Sequence, residues 1–188
     1  MRSGYVAIVG RPNVGKSTLI NTLLEQKIAA VSSKPQTTRR RQLGILTVPE
    51  AQIIFVDTPG LHVPQHKLGD YMNQEAMEGL TDADMVLWLI DASLPLTNED
   101  RLIADRLNAI KNLPNVLIVL SKSDLITEDV LLERKKAALD LFPAEDMLTI
   151  SSVTGIGLPE LMKKVLGVLP FGEAYYDEDV VTDYYERD

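Results

Sequence analysis

The sequence predicts an α/β protein built on a doubly wound, mostly parallel six-stranded sheet with helices on both faces. Strand-like and helix-like segments alternate along most of the chain, which is the order typical of this class. Residues 85–90 and 116–120 are apolar at every position, as expected for parallel strands that helices cover on both sides. Residues 42–48 and 52–57 are two strand-like runs in close succession, which predicts one antiparallel hairpin.

The elements before the hairpin follow from hydrophobic periodicity. Residues 5–9 form a short apolar run that ends at Gly10, which indicates a buried strand. Residues 16–26 repeat leucine and isoleucine at helical spacing, so we predict a helix there. Residues 28–41 are polar and rich in Ser, Thr and Arg, and we predict a loop.

The elements after the hairpin alternate between helix and strand by the same criteria. We predict helices at residues 66–80, 98–111, 128–141 and 158–169, and strands at residues 85–91, 115–120 and 146–150. After Pro170 the chain becomes acidic and loses its periodicity. We therefore expect one domain over residues 1–170 and a tail or linker over residues 171–188.

The composition excludes several classes of protein. The 188 residues carry a net charge of −8, which disfavours this segment as a main surface for nucleic acid. The chain has no cysteine, so it forms no disulfide or thiolate metal site, and this fits a cytoplasmic protein. No apolar run reaches the roughly 20 residues that span a bilayer.

Residues 10–17 match the phosphate-binding pattern G-x-x-x-x-G-K-[ST] between a predicted strand and a predicted helix. In such a P-loop, backbone N–H groups and the helix amino terminus face the phosphates. Lys16 is predicted to contact the β- and γ-phosphates in catalysis, and the Ser17 hydroxyl to bind Mg²⁺. The predicted nucleotide-binding residues here are Gly10, Arg11, Pro12, Asn13, Val14, Gly15, Lys16, Ser17 and Thr18.

A second motif, Asp57, Thr58, Pro59 and Gly60, follows the second strand of the hairpin. Such a sequence alone is equally typical of an ordinary turn. Its position one hairpin after the P-loop favours nucleotide binding, with Asp57 holding Mg²⁺ through a water. The Gly60 amide is predicted to approach the γ-phosphate and to act in catalysis.

The polar loop before the hairpin contains a further candidate metal ligand. A threonine in the run Gln-Thr-Thr-Arg at residues 36–39 is predicted to close over Mg²⁺ and the γ-phosphate. We favour Thr38 over Thr37, and Thr38 completes the predicted catalytic set with Lys16 and Gly60. A solvated basic loop is the alternative interpretation.

The segments after the last two strands predict recognition of the base. Asp124, within the run Ser121, Lys122, Ser123 and Asp124, can accept two hydrogen bonds from guanine that adenine cannot donate. The Lys122 stem can lie along the base. A weaker signal is the run Ser151, Ser152 and Val153, whose backbone N–H groups could face guanine O6. A polar turn at a strand end is the alternative for the run that contains Asp124.

Together, these motifs resemble those of the translation-factor-related P-loop GTPases, whose fold is Ras-like, and more narrowly those of the Era family. Four runs carry the resemblance, at residues 10–18, 35–39, 57–62 and 179–183. It implies a GTPase switch with GTP, GDP and Mg²⁺ as ligands, assisting 30S ribosomal subunit assembly and 16S rRNA maturation. It further implies a following KH domain that makes most RNA contacts, with residues 171–188 as the linker. Contact with the inner face of the cell membrane is also implied, and we expect a monomer.

The chain departs from the family pattern in two places. Ser121 stands where the family usually has asparagine, and it is too short to reach guanine N7, although its hydroxyl can brace the P-loop. Ser152 replaces an alanine. Leu61, by contrast, is shared with the Era family. A leucine cannot orient water as the glutamine of Ras-like enzymes does, so we expect slow turnover, roughly 10⁻⁴–10⁻² s⁻¹.

Three alternatives remain open from the sequence. One is a nucleotide-binding interaction module with little catalysis, which Ser121 and Leu61 favour and the intact metal ligands disfavour. Another is a sister GTPase acting in tRNA modification or large-subunit assembly, which the Gln-Thr-Thr-Arg run disfavours. The last is an ATPase, which Asp124 disfavours.

Overall fold

A computed structural model describes residues 1–25, 41–58 and 80–175 of the protein. Within these ranges the strands are β1 (Arg2–Val9), β2 (Arg41–Val48), β3 (Ala51–Asp57), β4 (Met85–Asp91), β5 (Val116–Ser121) and β6 (Asp146–Thr149). The helices are α1 (Lys16–Glu25), α2 (Asn98–Ala109), α3 (Glu128–Leu141) and α4 (Leu158–Val168), with a short 3-10 turn at Ser123–Leu125.

The six strands form one sheet in the order β2-β3-β1-β4-β5-β6. β2 runs antiparallel to β3, and the remaining neighbours are parallel. The predicted doubly wound, mostly parallel sheet with one hairpin is therefore confirmed. No helix in the three described ranges is long and apolar enough to cross a membrane.

Each face of the sheet has its own hydrophobic core. On one face, Val6 and Ile8 of β1 pack with α1 and α4. On the other face, Ala7 and Val9 pack with α2 and α3. Because side chains alternate along a strand, a strand buried on both faces must be apolar at successive positions. This explains the uninterrupted apolar runs of the central strands.

The element bounds differ from the predictions at several ends. β1 begins at Arg2 because Arg2 to Gly4 pair in parallel with β3, although their polar and small side chains resemble a loop. Residue 41, predicted in the loop, is the first residue of β2, and β5 extends to Ser121. Leu80 is helical as predicted. The remaining residues of the helix predicted at 66–80, like residues 28–40 of the predicted loop, lie outside the described residues.

The start of the predicted tail contacts the domain. The Arg2 guanidinium donates to the carbonyl oxygens of Leu166 at 3.3 Å and Leu169 at 2.9 Å, at the carboxyl end of α4. It also lies 4.2 Å from the ring centroid of Phe171. The Tyr175 amide donates to Gln52 Oε1 over 2.7 Å. Residues 171–175 are thus held at the amino ends of β1 and β3, opposite the motif-bearing ends.

Two glycines before α4 give a test of the local backbone. Gly155 and Gly157 both have positive φ, at 84° and 81°, where an L side chain costs about 1–2 kcal/mol. A Cβ at Gly157 would also overlap the Thr149 carbonyl oxygen, whereas one at Gly155 would meet nothing within 4 Å.

We expect Gly157→Ala to lower the free energy of unfolding by roughly 2–4 kcal/mol, and Gly155→Ala by about 1 kcal/mol. Urea unfolding followed by the fluorescence of Trp88, the only tryptophan, measures both. Equal losses would contradict the steric overlap at Gly157.

Candidate nucleotide-binding site

The predicted motifs meet at the carboxyl ends of the parallel strands, where ligands bind in doubly wound folds. Two adjoining cavities lie there, of about 320 Å³ and about 300 Å³. We call them the P-loop cavity and the base cavity. Both are lined by Gly15, Thr18 and Lys122, so one elongated ligand can occupy both.

The P-loop cavity lies at the amino terminus of α1. Its described lining residues are Asn13, Gly15, Lys16, Ser17, Thr18 and Lys122. The amide of Leu19 makes the first helical hydrogen bond, to the Gly15 carbonyl oxygen at 2.9 Å. The amides of residues 16–18 precede it and have no partner within the helix. Unpaired amides at a helix start, next to a lysine, suit a bound phosphate.

Lys16 and Asp57 form an ion pair beside this cavity. Lys16 Nζ lies 3.1 Å from Asp57 Oδ1, and their side chains are 16% and 10% exposed. Asp57 Oδ1 also accepts a hydrogen bond from the Thr58 amide at 2.9 Å. The parallel register of β1 and β3 explains this position, since Asp57 is the last residue of β3 and pairs with Ile8 of β1.

The side chains present suit Mg²⁺ bound together with phosphates. The described residues contain no cluster of three His, Cys, Asp or Glu side chains that could hold a metal alone. Mg²⁺ commonly binds one or two protein ligands and completes its octahedron with phosphate oxygens and waters. The Ser17 hydroxyl, exposed at the start of α1, and the Asp57 carboxylate fit such a site.

The base cavity contains the predicted base-recognition residue. Asp124 lines it together with Leu125, Ser152 and Val153. Asp124 Oδ1 accepts a hydrogen bond from the hydroxyl of the fully buried Ser151 at 2.8 Å. This bond fixes the orientation of a carboxylate at the cavity wall.

The P-loop is braced by Ser121, as the sequence predicts. The Ser121 hydroxyl lies 3.0 Å from the Val14 carbonyl oxygen and 3.1 Å from the Ile90 carbonyl oxygen. Its single hydrogen can be donated to either. The Val14 side chain is fully buried, so side chain and backbone both anchor the loop.

One predicted role for Ser151 needs correction. Its amide donates to the Ile156 carbonyl oxygen at 2.9 Å, so it is not available to guanine O6. The turn that ends at Ile156 folds back onto the backbone of Ser151 and occupies its amide. Ser151 therefore acts at the site through its hydroxyl, which donates to Asp124. Only the amides of Ser152 and Val153 remain for the predicted contact.

Several predicted site residues line neither cavity. They are Gly10, Arg11, Pro12, Asp57, Thr58, Ser123 and Ser151. The Arg11 side chain faces acidic residues instead, with Nε 3.5 Å from Asp100 and Nη2 3.8 Å from Asp91. Thr38, Pro59 and Gly60 lie outside the described residues, so their predicted roles stay predictions.

Asp91 is a residue at this site that the sequence interpretation missed. It is the last residue of β4, and its Oδ2 lies 2.9 Å from Lys122 Nζ. Burial alone would raise the pKa of Asp91, but hydrogen bonds from Ser93 and the pairing with Lys122 lower it below its ordinary value. The sequence did contain a signal for this residue: Asp91 is a carboxylate at the end of an apolar strand, and that strand lies between β1 and β5, which both lead into motifs.

A larger cavity, of about 570 Å³, lies at the other end of the sheet. Its lining includes Met85, Val116 and Asp146, the first residues of β4, β5 and β6. None of the predicted motif residues lines this cavity, so we assign nucleotide binding to the two cavities at the carboxyl ends of the strands.

Comparison with known proteins agrees with this geometry. Residues 5–122 match the model of the family described as 50S ribosome-binding GTPase. The GTPase Era of Geobacter sp. (strain M21) is 42% identical over 186 residues, covering 99% of this chain and 62% of Era. That of Leuconostoc citreum (strain KM20) is 42% identical over 187 residues, covering 99% and 61%. The chain therefore spans less than two thirds of these relatives.

Solved structures give the same result. A crystal structure of Era with MgGDPNP and nucleotides 1506–1542 of 16S ribosomal RNA matches with a TM-score of 0.77 and 41% identity, covering 97% of this chain and 62% of that one. A variant of Aquifex aeolicus Era bound to GDP·AlF4⁻ matches with a TM-score of 0.75 and 42% identity, at the same coverage. The chain belongs to the 50S ribosome-binding GTPase family, and within that family it is similar to Era.

Proposed function

We propose that this chain binds guanine nucleotides with Mg²⁺ and hydrolyses GTP slowly as a molecular switch. The observation that carries the proposal is the junction of the two cavities at Gly15, Thr18 and Lys122. One cavity has the amides of α1 and Lys16, which suit phosphates. The other has the oriented carboxylate of Asp124, which suits guanine. Era structures with MgGDPNP and with GDP·AlF4⁻ support the same ligands.

Each described residue has a distinct part in the proposed mechanism. The amides at the start of α1 and the Lys16 ammonium bind phosphate oxygens and stabilise charge that develops during transfer. Ser17 and, through a water, Asp57 would hold Mg²⁺, which neutralises phosphate charge when bound. Asp124 reads the base. Thr38 and the Gly60 amide remain our candidates for closing over the γ-phosphate and the attacking water.

We further propose a role in assembly of the small ribosomal subunit and maturation of 16S rRNA. The Era structure that contains a 16S rRNA segment supports this choice, although the description of the family model names the 50S subunit. The net charge of −8 fits RNA contacts made mainly by a KH domain that follows residues 1–170 and a linker over residues 171–188. We propose that the protein acts in the cytoplasm as a monomer, with peripheral contact to the membrane.

An interaction module with little catalysis is the second candidate. Ser121 favours it, because the hydroxyl that binds the Val14 and Ile90 carbonyl oxygens cannot also serve the base as an asparagine amide does. The loss of one neutral hydrogen bond costs about 1 kcal/mol. That loss affects binding only slightly, and the Lys16 and Asp57 side chains that catalysis needs are present beside the P-loop cavity, so we prefer the GTPase.

Turnover separates these two candidates. With Mg²⁺ we expect GTP hydrolysis at roughly 10⁻⁴–10⁻² s⁻¹, no comparable ATP hydrolysis, and loss of the activity when EDTA removes the metal. Phosphate release measured over hours tests this. Tight GDP binding without any GTP turnover would favour the interaction module.

Lys16→Ala tests the P-loop. It removes charge-assisted contacts to phosphate and leaves the Asp57 carboxylate without its cation, so we expect GDP binding to weaken about 100-fold or more. Titration with fluorescent GDP measures this, and Lys111→Ala, which changes an exposed lysine, is the matched control. Unchanged GDP affinity in Lys16→Ala would reject the assignment of the P-loop.

Asp124→Asn tests base recognition. Xanthine carries a carbonyl where guanine carries its amine, and the asparagine amide can donate to it. We expect GDP affinity to fall by about tenfold or more while XDP affinity rises. Asp140→Asn, at an exposed position of α3, is the control. A parallel loss of GDP and XDP affinity would mean that Asp124 does not read the base.

A further inference from the structure

We propose that Asp91 is a positioning residue for nucleotide binding. It holds the side chain of Lys122, which lines both the P-loop cavity and the base cavity, although Asp91 itself lines neither. This inference rests on the proposed function, because it assigns Asp91 a part in guanine-nucleotide affinity. It adds a residue from β4 to a site otherwise built from the P-loop, β3, β5 and the loop after β6.

Both carboxylate oxygens of Asp91 are occupied in a way that aims one of them at Lys122. Asp91 is 5% exposed, and its Oδ1 accepts hydrogen bonds from the amide and the hydroxyl of Ser93, at 2.9 Å and 2.5 Å. Its Oδ2 accepts one from Lys122 Nζ at 2.9 Å. Ser93 therefore orients the carboxylate, and the carboxylate fixes the ammonium.

The backbone around Asp91 is held from two sides. The amide of Ala92 donates to the Ser121 carbonyl oxygen at 3.1 Å. The Ala92 carbonyl oxygen accepts from Arg134 Nε of α3, also at 3.1 Å. Because the backbone next to Asp91 is held in this way, the carboxylate keeps its position and anchors the Lys122 ammonium.

The Lys122 side chain benefits from an anchored partner because of its position and its flexibility. It is the residue directly after β5, with a φ of 61°, and it lines both cavities. Its Nζ also lies 3.3 Å from the Asn13 carbonyl oxygen in the P-loop. A lysine side chain has much rotamer freedom to lose, so a partner that orders it before the ligand arrives raises affinity.

Distance shows that Lys122, and not Arg11, is the main cationic partner of Asp91. Arg11 Nη2 lies 3.8 Å away, beyond hydrogen-bond range, whereas Lys122 Nζ lies 2.9 Å away. A charge-assisted hydrogen bond at that length is among the stronger polar contacts. The effect of Asp91 on the ligand is therefore expected to pass through Lys122.

A double-mutant cycle on GDP affinity tests this. In Asp91→Asn, the amide oxygen still accepts from Ser93, and its NH₂ group then faces Lys122 and repels it. We expect GDP binding to weaken about tenfold. In a Lys122→Met background the same change should alter affinity less than twofold. Asp105→Asn, at an exposed position of α2, should leave GDP affinity unchanged.

The controls separate positioning from a general structural role. Urea unfolding of each variant without nucleotide, followed by Trp88 fluorescence, shows whether the fold persists. Ser93→Ala loosens Asp91 while keeping its charge, and we expect it to weaken GDP binding about threefold, again only when Lys122 is present.

The outcomes distinguish the inference from the proposed function. An equal loss of GDP affinity with and without Lys122, for either substitution, would overturn the positioning role, as would no loss at all in Asp91→Asn. Absence of GDP binding by the unsubstituted chain would overturn the proposed function and the inference with it.

Discussion

The parallel register around β1 is the constraint on which the site depends. β1 lies between β3 and β4, and Ile8 pairs with both Asp57 and Leu87. One strand further along, Asp91 pairs with Ser121. Because backbone hydrogen bonds fix these pairs, the polar residues that end each strand arrive at one edge of the sheet. A slip of one residue would reverse the faces of every side chain on a strand and break both cores.

Burial explains why the chemistry collects at this edge. Both faces of the sheet pack against helices, so the central strands tolerate few polar side chains except at their ends, where they leave the buried cores. Two ion pairs lie at that edge, Lys16 with Asp57 and Lys122 with Asp91. Partly buried ions that are paired and hydrogen-bonded avoid the cost of an isolated buried charge. The two basic side chains are therefore ordered next to cavities that suit an anionic ligand.

Two layers of residues make up the site. The first consists of backbone amides and side chains that line the cavities, such as Ser17, Lys16 and Asp124. The second orients the first, as Ser151 does for Asp124. Ser121 does both, because it lines the base cavity and its hydroxyl also lies within hydrogen-bond distance of the Val14 carbonyl oxygen. A serine at position 121 is therefore compatible with an intact loop.

The sequence by itself determined the fold class, five of the six strands to within one residue at each end, and the contiguous motifs. Those features are local: periodicity reports burial within one segment, and a P-loop needs only eight successive residues. It did not reveal that Arg2 to Gly4 extend β1, because that pairing depends on β3.

Only the tertiary structure decided the contacts between distant residues. The pairing of Asp91 with Lys122, the bond from Ser151 to Asp124 and the contact of Arg2 with the end of α4 join residues 31, 27 and more than 160 positions apart. The physical reason is that such contacts depend on strand order and register, and a single sequence constrains these only through the packing of the whole domain.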